Sequence, residues 1–367
     1  MKLRCEREAL LEALTTAGRA AVARGSSQTV LSGLRLEVDG QMLSVTGTDQ
    51  DLTISVQVDV TGIEAGVAIA PARLITDIVR ALDAGAVVLD TDDEDLRISS
   101  GRSLFSVRTH PVGDFPHLPT PSGAVVTLPA NGLAEALRQV VRAASNEEQR
   151  PILTGVLMAS ESSGLRMVST DSYRLAVRDL RGAGVLAEDE TVLVPSRALG
   201  ELQRLLGPGE GPEVSLRLGF REVTFSVGTV TLTSRLIEGE FPNYRQLIPH
   251  DYPNRLVVGR EALLDALRRV KLLAKDPSTP VRIALHPDNI ELTVVTADLG
   301  SAVEDLDAKY EGMEMTVAFN PAYLIDGVEA ISTDEVVLDA MDALKPATLR
   351  PREGDDYLYL LMPVRVP

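Results

Sequence analysis

The chain repeats itself three times, and the long period of the repeat limits what it can build. Gly113-Asp114-Phe115-Pro116 returns as Gly239-Glu240-Phe241-Pro242, about 126 residues later. Thr48-Asp49 recurs as Thr170-Asp171 and, more loosely, as Thr296-Ala297-Asp298, each after a β-rich run. Solenoid repeats have periods of roughly 20–50 residues, so this unit is a whole domain. With 367 residues the chain holds three of them. Pro and polar residues cluster at 119–123 and 249–254, which sets the expected domains at 1–121, 122–252 and 253–367. Successive equivalent interfaces turn by a constant rotation, so three such domains favour a curved or closed assembly.

Each third carries two amphipathic helices among runs of β character. Apolar residues at helical spacing predict the first near residues 7–22, on Leu10, Leu14, Ala17 and Ala21. The second follows Pro71, which suits a first turn, and uses Ile75, Ile78, Val79 and Leu82. The third has Asn131 as expected N-cap and Leu133, Leu137, Val140 and Val141 on one face. The fourth starts near Ser196, the fifth near Glu261, and the sixth follows Asn320-Pro321. Segments such as Leu34–Val38, Val223–Val227 and Tyr357–Leu361 read as strands. The fold class is therefore α+β, with two helices packed on β-sheets in each domain.

Signals for catalysis are nearly absent. The sequence has no GxxxxGK[ST] phosphate loop, no GxGxxG after a strand and no HExxH helix. His110, His117, His250 and His286 are scattered, mostly beside prolines. The run Asp90–Asp95 lacks the glycine a calcium loop needs and reads as a solvated hairpin tip. Asp49, Asp51 and Asp171 lie in turns after strands, where an enzyme reading would place acid–base carboxylates. Cys5 cannot form an internal disulfide and reads as a buried, inert thiol. No stretch reads as a signal peptide or membrane helix, so the expected location is the cytoplasm. No metal or cofactor is expected.

A formal net charge of −17 alone disfavours nucleic acid as partner. Charge distribution, however, decides where a basic surface lies. Arg138 and Arg142 sit one turn apart, opposite the apolar face of the third helix. Arg73 and Arg80, Arg197 and Arg204, and Arg268, Lys271 and Lys275 repeat that arrangement on other helices, whereas the sixth offers Asp326 and Glu329. Long cations on stiff elements suit phosphate contact.

Several ordered segments resemble the bacterial sliding clamp, the β subunit of DNA polymerase III, over essentially the whole length. They are Ser100-Gly101-Arg102 with Phe105 and Asp114-Phe115-Pro116, Thr170 through Val177, Glu240 through Arg245, Phe319 through Tyr323, and Leu361 through Arg365. The resemblance implies a head-to-tail dimer closing into a ring of six similar domains around duplex DNA. It implies a non-catalytic processivity factor, loaded by a separate ATP-driven clamp loader. Arg24, Arg73, Gln149 and Arg197 match inner-surface positions of the family; Arg138, Arg142, Arg150 and Lys275 join them from helix faces and loop position.

A second implied site is a cleft that takes short peptides from DNA polymerases and the loader. Matching positions are Leu153, Thr170, Ser172, Tyr173, Arg174, Leu175, Pro242, Gln246, Leu247, Asn320, Tyr323, Leu360, Leu361, Met362, Pro363, Val364 and Arg365. Ser172-Tyr173 stands where the family commonly has Gly-His, Gln246 where it has a basic residue, and Ser278 where it has an aromatic. Pro346 replaces a small polar residue at the rim. Phe105, Val107, Leu272 and Leu273 supply the apolar cluster expected at the dimer contact. Leu104 and Ser301-Ala302-Val303 dilute the charges usual there, which suits a divergent or second clamp. The rival reading is an interaction protein of the same fold that does not encircle DNA.

Overall fold

The computed structural model describes all residues except 23–28, 93, 117–122, 162–163, 183, 185, 188–189, 208–212, 250, 277, 355 and 366–367. Arg24 and the histidines at 117 and 250 thus lie outside the described residues. Six helices carry the apolar stripes: α1 (Arg7–Ala17), α2 (Ala72–Ala81), α3 (Ala130–Val140), α4 (Ser196–Leu206), α5 (Arg260–Lys271) and α6 (Pro321–Ala330). Between them run antiparallel strands, so the chain is α+β as expected.

Packing divides the chain into two compact units, Met1–Asn131 with Arg197–Leu236, and Gly132–Ser196 with Ile237–Pro367. The sequence repeat and the packing therefore cut the middle third differently. Its strands Val125–Leu128, Val214–Leu218, Glu222–Val227 and Val230–Arg235 continue the sheet of the first third, through pairing of Val230–Ser234 with Val56–Leu52. Its strands Gly155–Glu161, Gly164–Thr170, Arg174–Arg181 and Thr191–Pro195 belong to the second unit. There Arg174–Arg178 pairs with Leu361–Tyr357, so the last strand of the chain continues that sheet.

In the first unit an eight-stranded sheet and a five-stranded sheet share helices α1 and α2. Leu10, Ala13, Leu14 and Ala17 of α1 are buried, as are Ile75 and Val79 of α2, which is the stripe the spacing predicts. The first helix is shorter than expected. From Gly18 the chain tightens into turns, with Arg19, Ala20 and Ala21 N–H groups donating to the carbonyls of Thr16, Ala17 and Gly18. Pro71 precedes the first turn of α2 as its N-cap. Cys5 is buried, and burial, then the charge of Glu6, pushes its thiol up to about 12.

The second unit holds a twelve-stranded sheet. Asn131 does not cap α3, because that helix already begins at Ala130. Asn320 does cap α6: its Oδ1 accepts from the N–H groups of Ala322 at 2.9 Å and Tyr323 at 3.2 Å. Inside α6 stands Gly327, a poor helix former with a packing reason. A Cβ there would lie 2.6 Å from Cδ1 and Cε1 of the buried Tyr359 ring. Gly327→Ala should therefore destabilise the protein by about 1–3 kcal/mol through overpacking. An unchanged urea midpoint would contradict this close approach.

Candidate functional site

The Thr-Asp pairs build turns with the same bonds twice. Thr48 Oγ1 donates to the Leu52 carbonyl and accepts from Gln50 N–H, while Asp49 Oδ1 accepts from Asp51 and Leu52 N–H. Thr170 Oγ1 likewise donates to the Arg174 carbonyl and accepts from Ser172 N–H, while Asp171 Oδ1 accepts from Tyr173 and Arg174 N–H. Both turns put a non-glycine residue in the left-handed region, Gln50 at φ 82° and Ser172 at φ 80°. Glycine is the usual residue for that conformation, so the Gly-to-Ser departure at 172 leaves the turn itself intact. Asp49 and Asp171 are thus turn caps, and the enzyme reading loses its carboxylates.

Each turn also anchors an arginine through the second carboxylate oxygen. In the second unit this is Arg174, buried, with Nε 2.9 Å from Asp171 Oδ2 and Nη2 2.5 Å from the Arg142 carbonyl. Its Nη1 lies 2.5 Å from Asp326 Oδ2 and 3.4 Å from the Tyr359 hydroxyl, and its guanidinium stacks 4.3 Å from the Tyr323 ring centroid. Burial alone lowers the affinity of this group for its proton; Tyr359, Asp326 and Asp171 more than compensate and hold it above the usual arginine range. The Tyr359 hydroxyl completes the network by donating to the Tyr323 carbonyl at 2.9 Å.

The expected cleft residues differ in depth. Thr170, Arg174, Leu175, Leu360 and Leu361 are buried, and Leu175 and Leu360 form a core cluster with Val168, Val177 and Tyr244. These five are packed into the interior of the second unit. Leu153, Asn320, Tyr323, Pro363 and Val364 are half-buried. Ser172, Pro242, Gln246 and Arg365 are exposed, as are Tyr173 at 56 %, Leu247 at 51 % and Met362 at 40 %. Tyr173 stacks on Tyr323 with centroids 6.4 Å apart, and its carbonyl accepts from Met362 N–H at 2.9 Å. Val364 N–H bonds the Ala318 carbonyl at 2.7 Å, which holds the terminal segment beside strand Met315–Phe319, just before α6. Ser278 is exposed and Pro346 half-buried.

The expected DNA cations separate by what already holds them. Arg138 is not free, because its guanidinium caps the C-terminal end of α6, donating to the carbonyls of Glu329 at 2.8 Å and Ala330 at 3.1 Å. Arg142 pairs with Glu329 at 2.7 Å and Asp326 at 3.8 Å. Arg268 reaches the same Glu329 at 2.9 Å. The acidic sixth helix, which broke the sequence pattern, is thus the counter-charge of α3 and α5. In the first unit Arg197 pairs with Asp49, and its Nη2 lies 3.5 Å from the Arg19 carbonyl. Gln149 and Lys275 are exposed; Arg150 is exposed beside Glu147 at 3.2 Å; Arg73 is 86 % exposed, 3.8 Å from Asp77.

Of the expected dimer residues, Phe105 and Leu272 are exposed and Leu273 half-buried. Val107 is buried, since it is the inward-facing position of strand Ser103–Arg108, and so belongs to the core of the first unit. That strand is the outer one of its five-stranded sheet. In the second unit, strand Gly300–Glu311 pairs on one side over Gly300–Asp307 and with its other neighbour only from Ala308. Both segments therefore present an open edge.

Three repeats of two helices on antiparallel sheets, joined by matching arginine-anchored turns, define a non-catalytic clamp-type protein. Family models of the DNA polymerase III beta subunit match in succession: the N-terminal domain over residues 1–119, the central domain over 127–243 and the C-terminal domain over 245–365. The beta sliding clamp of Streptomyces coelicolor is 34 % identical over 376 residues, and that of Synechococcus elongatus 33 % over 374, each alignment spanning 100 % of both chains. The crystal structure of the Bacillus subtilis sliding clamp superposes with a TM-score of 0.92 at 28 % identity. That of the Pseudomonas aeruginosa clamp bound to griselimycin gives 0.91 at 29 %, again with full coverage of both chains. The chain belongs to the DNA polymerase III beta-subunit family, the bacterial DNA sliding clamps.

The charge pairs on α6 make a prediction in acid. Hydrogen bonds from Arg142, then Arg268, hold the Glu329 carboxyl below its ordinary value of 4.5. Its contribution to stability is complete above about that pH and is lost as pH falls through the lower folded-state value. Wild type should lose more stability on acidification over this interval than Glu329→Gln. Equal slopes of stability against pH would contradict the pairing.

Proposed function

We propose that two copies of this chain close head to tail into a ring around duplex DNA and tether polymerases through the cleft of the second unit. The domains of that ring are residues 1–121, 122–252 and 253–367. The observation that carries the tethering role is the exposed Tyr173 stacked on half-buried Tyr323, with exposed Met362 bonded to the Tyr173 carbonyl and Arg174 held under the Tyr323 ring. Exposed apolar groups held in one arrangement suit the capture of short apolar peptides, and methionine adapts to several of them. Clamp-loader and polymerase peptides are the ligands. Open strand edges at Ser103–Arg108 and Gly300–Asp307 suit pairing between copies.

DNA contact falls to Gln149, Arg150 and Lys275, with Arg24 in the same role and Arg73 at the edge of the set. Arg138, Arg142 and Arg197 are already engaged by carboxylates or carbonyls. Few free cations mean few displaced counterions, hence weak binding that permits sliding. Among the described residues no helix is long and apolar enough to cross a membrane, and the proposed location is the cytoplasm.

Topology gives the decisive readout. After loading by the loader and ATP, the protein should remain on a nicked circular plasmid and leave once the plasmid is cut. Equal retention on both forms would mean surface attachment without encirclement, the rival reading. Gln149→Ala with Arg150→Ala should shorten retention on the circle at moderate salt. Tyr323→Ala should weaken binding of a clamp-binding peptide at least tenfold, judging from typical aromatic anchors. Unchanged peptide affinity would remove the cleft assignment.

A further inference from the structure

The repeat supplies two internal joints between successive domains and leaves a third set of joint residues without a partner. At the first joint, the second residue of α4, Arg197, bonds Asp49 of the turn and approaches the carbonyl of Arg19 just past the end of α1. At the second joint, Arg174 serves the corresponding acceptors, Asp171 and the carbonyl of Arg142. One arginine thus ties a Thr-Asp turn to a helix-end carbonyl at both, reached from opposite sides. Arg19 and Arg142 also each face an acid on the following second helix, Glu201 at 3.7 Å and Asp326 at 3.8 Å.

The third set is split between the two ends of the chain. Arg73 is the second residue of α2, as Arg197 is of α4, and its only ion pair among the described residues is the loose 3.8 Å one to Asp77. The helix-end residue equivalent to Arg19 is Leu272. Its N–H bonds the Arg269 carbonyl and that of Leu273 the Val270 carbonyl, as Arg19 and Ala20 bond Thr16 and Ala17. Leu272 is 73 % exposed. The third turn is one residue shorter, pairing Thr296 with Gly300 where the others pair Thr48 with Thr53 and Thr170 with Leu175. Ala297 replaces the capping aspartate, and the turn's carboxylate moves to Asp298, exposed and without a hydrogen bond or ion pair among the described residues.

We infer that Arg73 of one protomer bridges Asp298 and the Leu272 carbonyl of a second copy, repeating at the joint between protomers the arginine tie of the two internal joints. This rests on the homodimer reading above and moves Arg73 from the DNA set to the subunit contact. The joint between copies keeps this single tie and loses the other charge pair, because Leu272 stands where Arg19 and Arg142 pair with an acid. Its other side-chain contacts are the apolar ones of Phe105 and Leu272, beside the pairing of the two strand edges. The joint that must open for DNA entry then has fewer side-chain charge ties than either internal joint.

The test is the dimer dissociation constant of the full chain by fluorescence-detected sedimentation at nanomolar dilution, for wild type, Arg73→Ala, Asp298→Ala, the double variant and the swap Arg73→Asp with Asp298→Arg. Each single variant should weaken dimerisation about fivefold to tenfold, the scale of one charge-assisted hydrogen bond. The double variant should be no weaker than either single one, and the swap should recover most of the loss. Arg73→Lys, which keeps the charge but not the forked geometry, should fall between. A dimeric wild type with unchanged single variants, or with multiplying effects, would overturn the inference while leaving the ring intact. A wild type that is monomeric at micromolar concentration would overturn both.

Discussion

The buried guanidinium of Arg174 is the constraint on which the second unit depends. A cation taken out of water costs several kcal/mol, and only close counter-charges and full hydrogen bonding offset that cost. Asp171, Asp326, the Arg142 carbonyl, the Tyr359 hydroxyl and the Tyr323 face together surround it. These groups come from a strand turn, the end of α3, helix α6 and the last strand of the sheet. Four elements are therefore fixed by one charge, and the proposed peptide cleft would inherit its geometry from the same place. Tyr323 stands between Arg174 and the exposed Tyr173, so the structural tie and the ligand surface share a side chain.

The same chemistry explains a protein that holds DNA while being strongly acidic. Most of the arginines that look available on helix faces are consumed by neighbouring helix ends and turns, within a repeat or where two repeats meet. Arg138 caps α6, Arg142 and Arg268 converge on Glu329, and Arg197 closes on Asp49. Under the proposed assignment few cations are left for phosphate, which suits weak binding.

Much of this was legible from residue spacing. The six helices follow from apolar periodicity, the start of α6 from Asn320-Pro321, and the Thr-Asp turns from their recurrence. What stayed hidden is of one physical kind. Periodicity says which face of a helix is polar, but not which element lies opposite, so Arg138 and Arg142 read as solvent cations. The acidity of α6 looked like an exception because its partners lie some 60 to 190 positions away in sequence. Phe105 and Val107 share one face of the edge strand, and spacing alone does not say that the first is exposed and the second buried. Gln50 and Ser172 adopt left-handed backbone without the glycine that would announce it.

The central claim is that Arg174 and Asp326 act as one unit in joining the sheet to α6. A double-mutant cycle with Arg174→Met, Asp326→Asn and the pair, read by urea denaturation of the full chain, tests it most directly. The account predicts large losses for the single variants, about 3–5 kcal/mol for removing Arg174. It also predicts a coupling of about 1–3 kcal/mol, so that the double variant loses less than the two singles added. Additive effects would mean that the two charges hold the joint independently, and the shared-cation account of joint and cleft would be wrong.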